Sequence, residues 1–247
     1  MAIMVTDSMQ EGYDNVCPIC NGRKWIEVDL ADGYKWVRRC RCFERDIIEE
    51  RLRKSGLYRA ICENTFESFI AAEPWQQIMK DKAEKYKAAV ISTGDNIPWL
   101  FIGGMTGCGK THICTAVIGD LIKTGFDPKY MQWVQDSREI KKDMIGDHVS
   151  AAIEPFKTAR ILYIDDLFKG NRNPTDSDIR ICFEIFNYRY NNDLPTIISS
   201  EQYLDSELVN VDEATFSRVI EKTGAEFMIS VDRQRERNHR IKDVIRV

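Results

Sequence analysis

The sequence predicts an α/β fold in which helices flank both faces of a mostly parallel sheet, preceded by a small hairpin domain. From about residue 74 onward, short apolar segments alternate with longer segments of helical periodicity, as in βαβ units. A glycine-rich loop joins the first apolar segment to a helical one, and two cysteine pairs bracket a hairpin near the start of the chain. Together these observations indicate one mid-sized domain with a small appendage.

The chain has 247 residues, of which 43% are hydrophobic and 30% charged, with a net charge of -4. An acidic total excludes a protein that binds nucleic acid through an overall basic field, so any such contact must come from a local basic stripe. The first residues lack the basic and apolar regions of a secretion signal, and no stretch reaches the length of a membrane span. We therefore expect a cytoplasmic protein without a membrane partner. Its eight cysteines are expected to be metal ligands or buried thiols rather than disulfides.

The two cysteine pairs flank a predicted hairpin with strands at residues 24–30 and 34–39 and a turn at residues 31–33. Four thiolates that converge in this way can hold Zn²⁺, and the metal replaces the core that so short a segment cannot build. The segment resembles a zinc ribbon, with Cys17, Cys20, Cys40 and Cys42 as ligands. The alternative is a surface hairpin with four unligated cysteines. Its basic and aromatic residues suit either single-stranded nucleic acid or a protein partner.

The glycine-rich loop fits the phosphate-loop (Walker A) pattern of Gly, four residues, Gly, Lys and Ser or Thr. It follows the apolar run at residues 99–102 and opens a helix, so backbone N–H groups can surround an anion beside the positive end of the helix dipole. This arrangement binds the phosphates of a nucleoside triphosphate. The residues predicted to do so are Gly104, Met105, Thr106, Gly107, Cys108, Gly109, Lys110 and Thr111.

The remaining hydrophobic pattern predicts four more strands and the helices between them. Strands are expected at residues 130–134, 159–165, 194–200 and 227–231. Helices are expected at residues 43–55, 74–91, 110–124, 136–144, 177–191 and 206–222. Cys114 and Cys182 fall on apolar helix faces and are predicted to be buried thiols rather than ligands.

The strand at residues 159–165 is apolar and ends in Asp165 and Asp166, like a Walker B segment. The carboxyl ends of parallel strands meet at the edge where open α/β folds bind ligands, so both acids are expected to face the phosphates. Phosphoryl transfer to water needs a phosphate cradle, a metal ion, a carboxylate near the water and a cation for the transition state. The loop, Thr111 with Asp165, Asp166, and an arginine meet these needs. The sequence therefore predicts an ATPase.

The order of these parts along the whole chain resembles that of bacterial and phage replicative-helicase loaders of the DnaC/DnaI type, within the AAA+ ATPases. The resemblance implies that Lys110 binds the β- and γ-phosphates of ATP. It implies that Thr111 and Asp165 hold Mg²⁺, Asp165 through water. Asp166 would then orient the attacking water.

The resemblance also assigns roles after the acidic pair. Ser200 stands where the family has its sensor-1 residue, beside Glu201 where asparagine is frequent. Arg218, in the segment Phe216-Ser217-Arg218, matches the arginine finger that reaches the γ-phosphate of a neighbouring subunit. Arg240 is a candidate for sensor 2. A chain with its finger on a surface helix would hydrolyse ATP slowly when alone.

A protein of this type would load a replicative ring helicase onto single-stranded DNA, using ATP, Mg²⁺ and Zn²⁺. The resemblance implies that residues 1–55, the zinc hairpin and a linker helix, dock the helicase and that residues 56–247 form the AAA+ ATPase domain. It also implies self-association into a ring or spiral. Weak, ATP-dependent binding of single-stranded DNA is expected from the local arginines and aromatic side chains.

Three other functions are compatible with the phosphate loop. A small-molecule or nucleotide kinase would need an arginine-rich lid, and residues 171–176 supply only Arg172. An adaptor with a structural nucleotide is disfavoured because Lys110, Thr111, Asp165 and Asp166 are all present. A transposition-helper ATPase shares the AAA+ core and differs from a loader in this sequence only through the cysteine hairpin.

Overall fold

The structure, a computed structural model, describes residues 17, 19–29, 35–54, 57–92, 97–142, 144, 151–170 and 173–241. The predicted turn at residues 31–33, the predicted domain boundary between residues 55 and 56, and Arg172 lie outside them. The density of internal contacts divides the chain into two units, Met1–Glu50 and Arg51–Val247.

The smaller unit is built on an antiparallel hairpin of β1 (Trp25–Asp29) and β2 (Lys35–Arg39), in which Trp25 lies opposite Arg39. Helix α1 (Arg41–Lys54) begins two residues after β2. All five residues of β2 are exposed, so this strand buries no apolar face. The buried cluster of the unit consists instead of Cys20, Cys40 and Cys42, with Cys17 and Ile26 packed against it. Thiols therefore occupy the place of a hydrophobic core.

The larger unit contains a five-stranded sheet in the order β4-β5-β6-β3-β7, and every neighbouring pair is parallel. Its strands are β3 (Leu100–Gly104), β4 (Pro128–Gln132), β5 (Ile161–Leu167), β6 (Thr196–Ser200) and β7 (Met228–Val231). β3, β5 and β6 are buried almost throughout because the sheet is covered by helices. The predicted fold class is confirmed.

The described residues form nine α-helices, of which α1 is the first. The others are α2 (Tyr58–Glu63), α3 (Pro74–Ser92), α4 (Lys110–Lys123), α5 (Trp133–Lys142), α6 (Glu154–Thr158), α7 (Asp176–Asn191), α8 (Val209–Val211) and α9 (Glu213–Phe227), which makes nine in all. α4 packs with α2 and α3, whereas α7 packs with α6 and α9. Trp99 and Phe216 each contact Phe186 of α7, with ring centroids 5.7 and 6.0 Å apart.

Several predicted boundaries differ from the structure, and β5, for example, ends at Leu167 instead of residue 165. The second core strand ends at Gln132 instead of residue 134, because α5 begins directly at Trp133, which is buried together with Ile140. Asp136, predicted to cap this helix, lies inside it and accepts a hydrogen bond from the Gln132 amide at 2.7 Å. The helix predicted at residues 206–222 is interrupted at Asp212, whose backbone is extended, and a π-helical turn (Leu204–Leu208) precedes α8.

Arg189 ties β5 to β6 at the end of the sheet opposite the phosphate loop. Its guanidinium is fully buried and donates to the carbonyl oxygens of Ala159, at 2.7 Å, and Pro195, at 2.6 Å. Its Nε donates to Thr196 Oγ1 at 2.8 Å. Burial lowers the pKa of Arg189 to about 9, yet these acceptors satisfy its donors. The two strands that carry Asp165 and the serines are thereby held in fixed register.

Candidate functional site

The phosphate loop requires glycine at three positions. Gly104, Gly107 and Gly109 have φ values of 110°, 74° and 97°, a region that other residues rarely adopt. A Cβ on Gly104 would lie 2.0 Å from the carbonyl oxygen of Val231, and one on Gly107 would lie 2.1 Å from Asn238 Oδ1. The loop thus combines left-handed backbone with close packing, which the sequence pattern predicts only in part.

Lys110 begins α4 and is buried, with 6% of its surface exposed. Its ammonium donates to the carbonyl oxygens of Gly104, at 3.0 Å, and Met105, at 2.8 Å. The lysine therefore lies within the curl of the loop, where the phosphates of a nucleotide would replace these carbonyls as acceptors. Cys108 is fully buried, and burial raises the pKa of its thiol, so the side chain packs as a neutral group.

Asp165 is the centre of a cluster of hydroxyl groups. Its Oδ1 accepts hydrogen bonds from Thr111 at 3.3 Å, Tyr163 at 2.6 Å and Ser199 at 2.7 Å, and Tyr130 donates to Oδ2 at 3.2 Å. Burial raises the pKa of Tyr163, so its hydroxyl keeps its proton and remains a donor. Thr111 and Asp165, predicted to hold Mg²⁺, are therefore in direct contact, and hydroxyl and carboxylate oxygens are the ligands that this ion prefers.

Asp166 lies in a bulge of β5, where the pairing with β6 shifts between Ile164 and Leu167. Its φ is 55°, and its amide donates to Ser199 Oγ at 3.0 Å. Its carboxylate forms an ion pair with Lys169, with Nζ 2.6 Å from Oδ2. Both acids thus stand near the carboxyl end of β5, and Asp165 is the one that contacts Thr111 of the phosphate loop.

The two serines that end β6 make different contacts. Ser199 touches both Asp165 and Asp166, whereas Ser200 donates to the carbonyl oxygen of Leu167 at 2.9 Å. Ser200, the residue predicted for sensor 1, is therefore not the serine that contacts the acids. Ser199 was not predicted, since nothing in two consecutive serines indicates which of them lies on the face of β6 that meets the acids. Glu201, which follows, accepts a hydrogen bond from Thr106 of the phosphate loop at 2.8 Å.

The segment after β7 covers part of the phosphate loop, and the sequence analysis did not predict this. The amide of His239 donates to the carbonyl oxygen of Gly107 at 3.0 Å, and Asn238 packs against the same glycine. His239 Nε2 is 2.6 Å from Nε2 of Gln76, a buried residue of α3. The Arg240 amide donates to Asn238 Oδ1 at 3.0 Å, which places the sensor-2 candidate beside the loop.

Arg218 lies on α9 and does not join this cluster. Its guanidinium donates to the carbonyl oxygen of Ala214 and lies over the rings of Phe183 and Tyr190, 6.0 and 5.9 Å from their centroids. Among the residues that the structure describes, no acid forms an ion pair with it. The site of one chain thus contains the loop and the acids without this arginine.

The four cysteines of the smaller unit meet at one point, with their sulfur atoms within 4.8 Å of one another. Cys17 Sγ is 3.8 Å from Cys40 Sγ, and Cys20 Sγ is 3.4 Å from Cys42 Sγ. A tetrahedral zinc ion with Zn–S bonds of about 2.3 Å separates its sulfurs by about 3.8 Å, so the cluster fits the predicted ion. Backbone hydrogen bonds from Cys20 and Ile19 lower the pKa of Cys17 to about 6. None of the described helices is both long enough and apolar enough to cross a membrane.

The chain is similar to one family model and to two curated relatives. The model of the NB-ARC domain family matches residues 79–159. The uncharacterized protein YqaM of Bacillus subtilis is 29% identical over 98% of this chain and 77% of its own length. The phage-like element PBSX protein XkdC, also of Bacillus subtilis, is 31% identical over 83% of this chain and 79% of its own length.

Solved structures share the fold at lower identity. A crystal structure of DnaI matches with a TM-score of 0.56 and 17% identity over 73% of this chain and 93% of that one. The crystal structure of the DnaC helicase loader matches with a TM-score of 0.53 and 18% identity over 71% of this chain and 99% of that one. The chain therefore belongs to the family of the phage-like element PBSX protein XkdC, and it shares its fold with the DnaI and DnaC structures.

Proposed function

We propose that this protein is an ATP-dependent loader that binds a replicative ring helicase and delivers it to single-stranded DNA. Its family and its likeness in fold to the DnaC helicase loader support this. The observation that carries the ATPase part is the 3.3 Å contact between Thr111 Oγ1 and Asp165 Oδ1. It joins the phosphate loop to the acid at the end of β5, and a nucleotide site needs both.

In the proposed reaction, Lys110 exchanges its loop carbonyls for the β- and γ-phosphates of ATP. Thr111 and Asp165 would hold Mg²⁺, which would offset the charge that develops on the phosphate oxygens. Asp166 orients the attacking water. Ser199 fixes the distance between Asp165 and Asp166, because its single hydroxyl contacts the side chain of one and the amide of the other.

The smaller unit has the proposed role of docking the helicase. Zn²⁺ held by Cys17, Cys20, Cys40 and Cys42 would give the hairpin a fixed shape. The two faces of β2 then present large exposed side chains, among them Trp36, which is 61% exposed. We assign the docking role to residues 1–55 and the ATPase role to residues 56–247.

The complete loader is proposed to act as a ring or spiral in which Arg218 of one subunit serves the nucleotide of the next. The site of a single chain contains a carboxylate, a lysine and a phosphate cradle, and in-line hydrolysis also needs a cation for the transition state. Single-stranded DNA would be bound weakly and in the ATP state. Because phosphate contacts dominate such binding, it should weaken steeply with salt and show little sequence preference.

Helicase loading tests the proposal directly. Circular single-stranded DNA coated with single-strand-binding protein and bearing one annealed oligonucleotide is mixed with the ring helicase of the same host. Displacement of the oligonucleotide should require this protein and ATP, and Lys110→Ala should abolish it. Lys123→Ala, at the other end of α4 and partly exposed, is the matched control and should load normally. Displacement that is equal with and without the protein would contradict the loader function.

A further inference from the structure

The turn after β5 carries an ion pair that the reaction proposed above does not use. Lys169 Nζ lies 2.6 Å from Asp166 Oδ2, and the two side chains are 42% and 23% exposed. The partners are three residues apart in a turn, closed by a hydrogen bond from the Lys169 amide to the Asp166 carbonyl at 3.0 Å. This turn brings the lysine back over the acid that is proposed to orient water.

The backbone of Asp166 is held from both sides. Its amide donates to Ser199 Oγ, and its carbonyl accepts from the Lys169 amide, each at 3.0 Å. Its φ of 55° is unusual for a residue other than glycine, so these bonds maintain a conformation that costs free energy. With the backbone fixed, rotation of the side chain is the remaining freedom of the carboxylate. Lys169 restrains it by binding one of the two oxygens.

The position of Lys169 is itself anchored by its neighbour Phe168. Phe168 is 2% exposed and also has a φ of 55°. Its ring packs edge-on against Trp133 at 5.1 Å and against Phe216 at 6.1 Å. The lysine therefore extends from a backbone that the core holds in place, so forming the ion pair orders only the lysine side chain itself.

The charges around Asp166 favour its ion pair with Lys169. Asp165 and Glu201 contact the phosphate loop, which is to receive a polyanion, and Asp166 is joined to Asp165 through Ser199. Asp165 is satisfied by hydroxyl groups and Glu201 by Thr106, whereas in the described part of the chain Asp166 has Lys169 as its partner cation. The hydrogen bond to Asp166, and then the charges of Asp166, Glu201 and Asp165, raise the pKa of Lys169, so the ammonium stays charged.

We propose that Lys169 is a positioning residue that fixes the Asp166 carboxylate, through Oδ2, so that Oδ1 is directed at the attacking water. The inference rests on the ATPase activity proposed above and not on helicase loading. A carboxylate that rotates freely meets the water in the right orientation for only part of the time. Misplacement of a catalytic group by about 1 Å lowers turnover by roughly 100-fold in other enzymes.

Steady-state ATP hydrolysis by four full-length variants tests the inference. Lys169→Met should lower kcat by roughly 10- to 100-fold, whereas the Kd of a fluorescent ATP analogue should change by less than about twofold, as expected of a group that acts only in the transition state. Lys169→Arg keeps a cation in reach and should recover most of the activity. Lys142→Met removes the ion pair with Glu139, also three residues apart but on α5, and should match the wild type. A wild-type kcat in Lys169→Met would overturn the inference.

The fourth variant separates positioning from a structural role. In an Asp166→Asn background, Lys169→Met should cause little further loss of kcat, because its target carboxylate is already gone. An equal further loss there would show that Lys169 acts on something other than Asp166 and would overturn the inference. A wild-type chain that hydrolyses ATP with this pattern but fails to load helicase would contradict the loader function alone. The two proposals therefore fail in distinguishable ways.

Discussion

The hydroxyl of Ser199 donates to Asp165 Oδ1 at 2.7 Å, and Ser199 Oγ in turn accepts a hydrogen bond from the amide of Asp166 at 3.0 Å. One side chain at the end of β6 therefore connects the proposed metal-binding acid with the proposed water-orienting acid. β6 lies between β3, which leads into the phosphate loop, and β5, which carries both acids. The phosphate loop and the acidic pair belong to strands that do not touch each other.

Ser199→Ala should therefore lower ATP turnover more than Ser200→Ala. Loss of the Ser199 hydroxyl removes a donor from Asp165 and leaves the Asp166 amide without its acceptor, and loss of such outer-shell partners typically costs roughly 10- to 100-fold in activity. Ser200→Ala removes a bond to the backbone of Leu167 and should mainly lower the free energy of unfolding, by about 1 kcal/mol. Steady-state kinetics and urea unfolding of both variants check this, and Ser199→Thr should restore activity. A larger kinetic loss in Ser200→Ala would favour the residue expected from the resemblance.

The sequence predicts the positions of the loop and the acids because both follow from local patterns. A glycine pattern between a strand and a helix, and an apolar run ending in two aspartates, specify which strand ends carry chemistry. The choice between Ser199 and Ser200 depends on which face of β6 points at the acids. That face is set by the bulge in β5 at Asp165 and Asp166, a non-local feature that no pattern within β6 indicates.

The cysteine cluster should contain one zinc ion per chain. Elemental analysis of purified protein should find about one zinc, and Cys17→Ser with Cys20→Ser should remove it, because three or more thiolates are needed for a stable structural site. Cys62→Ser is the matched control, since Cys62 is exposed and lies in the larger unit. It should keep the metal. Metal-free wild-type protein with a protease-resistant hairpin would contradict the assignment.

Gly107→Ala should damage the phosphate loop more than Gly170→Ala, although both glycines have a φ of 74°. Alanine at either position pays the cost of left-handed backbone, about 1–2 kcal/mol. At Gly170 the new methyl group meets nothing within 4 Å, whereas at Gly107 it would lie 2.1 Å from Asn238 Oδ1. Urea unfolding and binding of a fluorescent ATP analogue measure the difference.

Removing the Asn238 side chain tests whether its clash with the new methyl group makes Gly107→Ala less stable than Gly170→Ala. In Gly107→Ala with Asn238→Ala, the clash is relieved, but the backbone strain remains and Asn238 no longer accepts a hydrogen bond from the Arg240 amide. The double variant should therefore be more stable than Gly107→Ala and less stable than Gly170→Ala, by about 1 kcal/mol. If the double variant is no more stable than Gly107→Ala alone, the segment after β7 does not pack on the loop in solution.

The packing of the segment after β7 on the phosphate loop is a feature that the sequence does not predict. The fold class, the order of the strands and the longer helices follow from hydrophobic periodicity, and the structure confirms them, whereas the short helices α2 and α6 were not predicted. The contact of Asn238 and His239 with Gly107 joins residues about 130 positions apart through side-chain packing, for which neither composition nor spacing gives a signal. The boundary between β4 and α5 was missed for a related reason. Tryptophan is common in strands, but Trp133 begins α5, where it is buried on the same helix as Ile140.

The last prediction concerns Arg218 and the completion of the ATPase between subunits. Its guanidinium packs on Phe183 and Tyr190 of α7 and does not contact the phosphate loop of its own chain. An arginine supplied by a neighbour is worth roughly 10³ to 10⁵ in rate for comparable phosphate-loop enzymes, so an isolated chain should be slow and assembly should accelerate it. Specific activity should therefore rise with protein concentration, or on addition of helicase and single-stranded DNA. Arg218→Ala should bind ATP normally and remain slow, whereas Arg235→Ala, an equal loss of charge after β7, should respond as the wild type does.

A mixture of two inactive variants decides whether Arg218 acts on its own subunit or on the next. Arg218→Ala chains keep an intact phosphate loop, and Lys110→Ala chains keep an intact Arg218, so an interface between them contains one complete site. Partial recovery of ATP hydrolysis in the mixture is expected, because only interfaces of one orientation are complete. Light scattering must show that the chains assemble under the same conditions. If they assemble and the mixture stays inactive, Arg218 acts within its own chain or only in packing against α7, and hydrolysis is not completed by the neighbouring subunit.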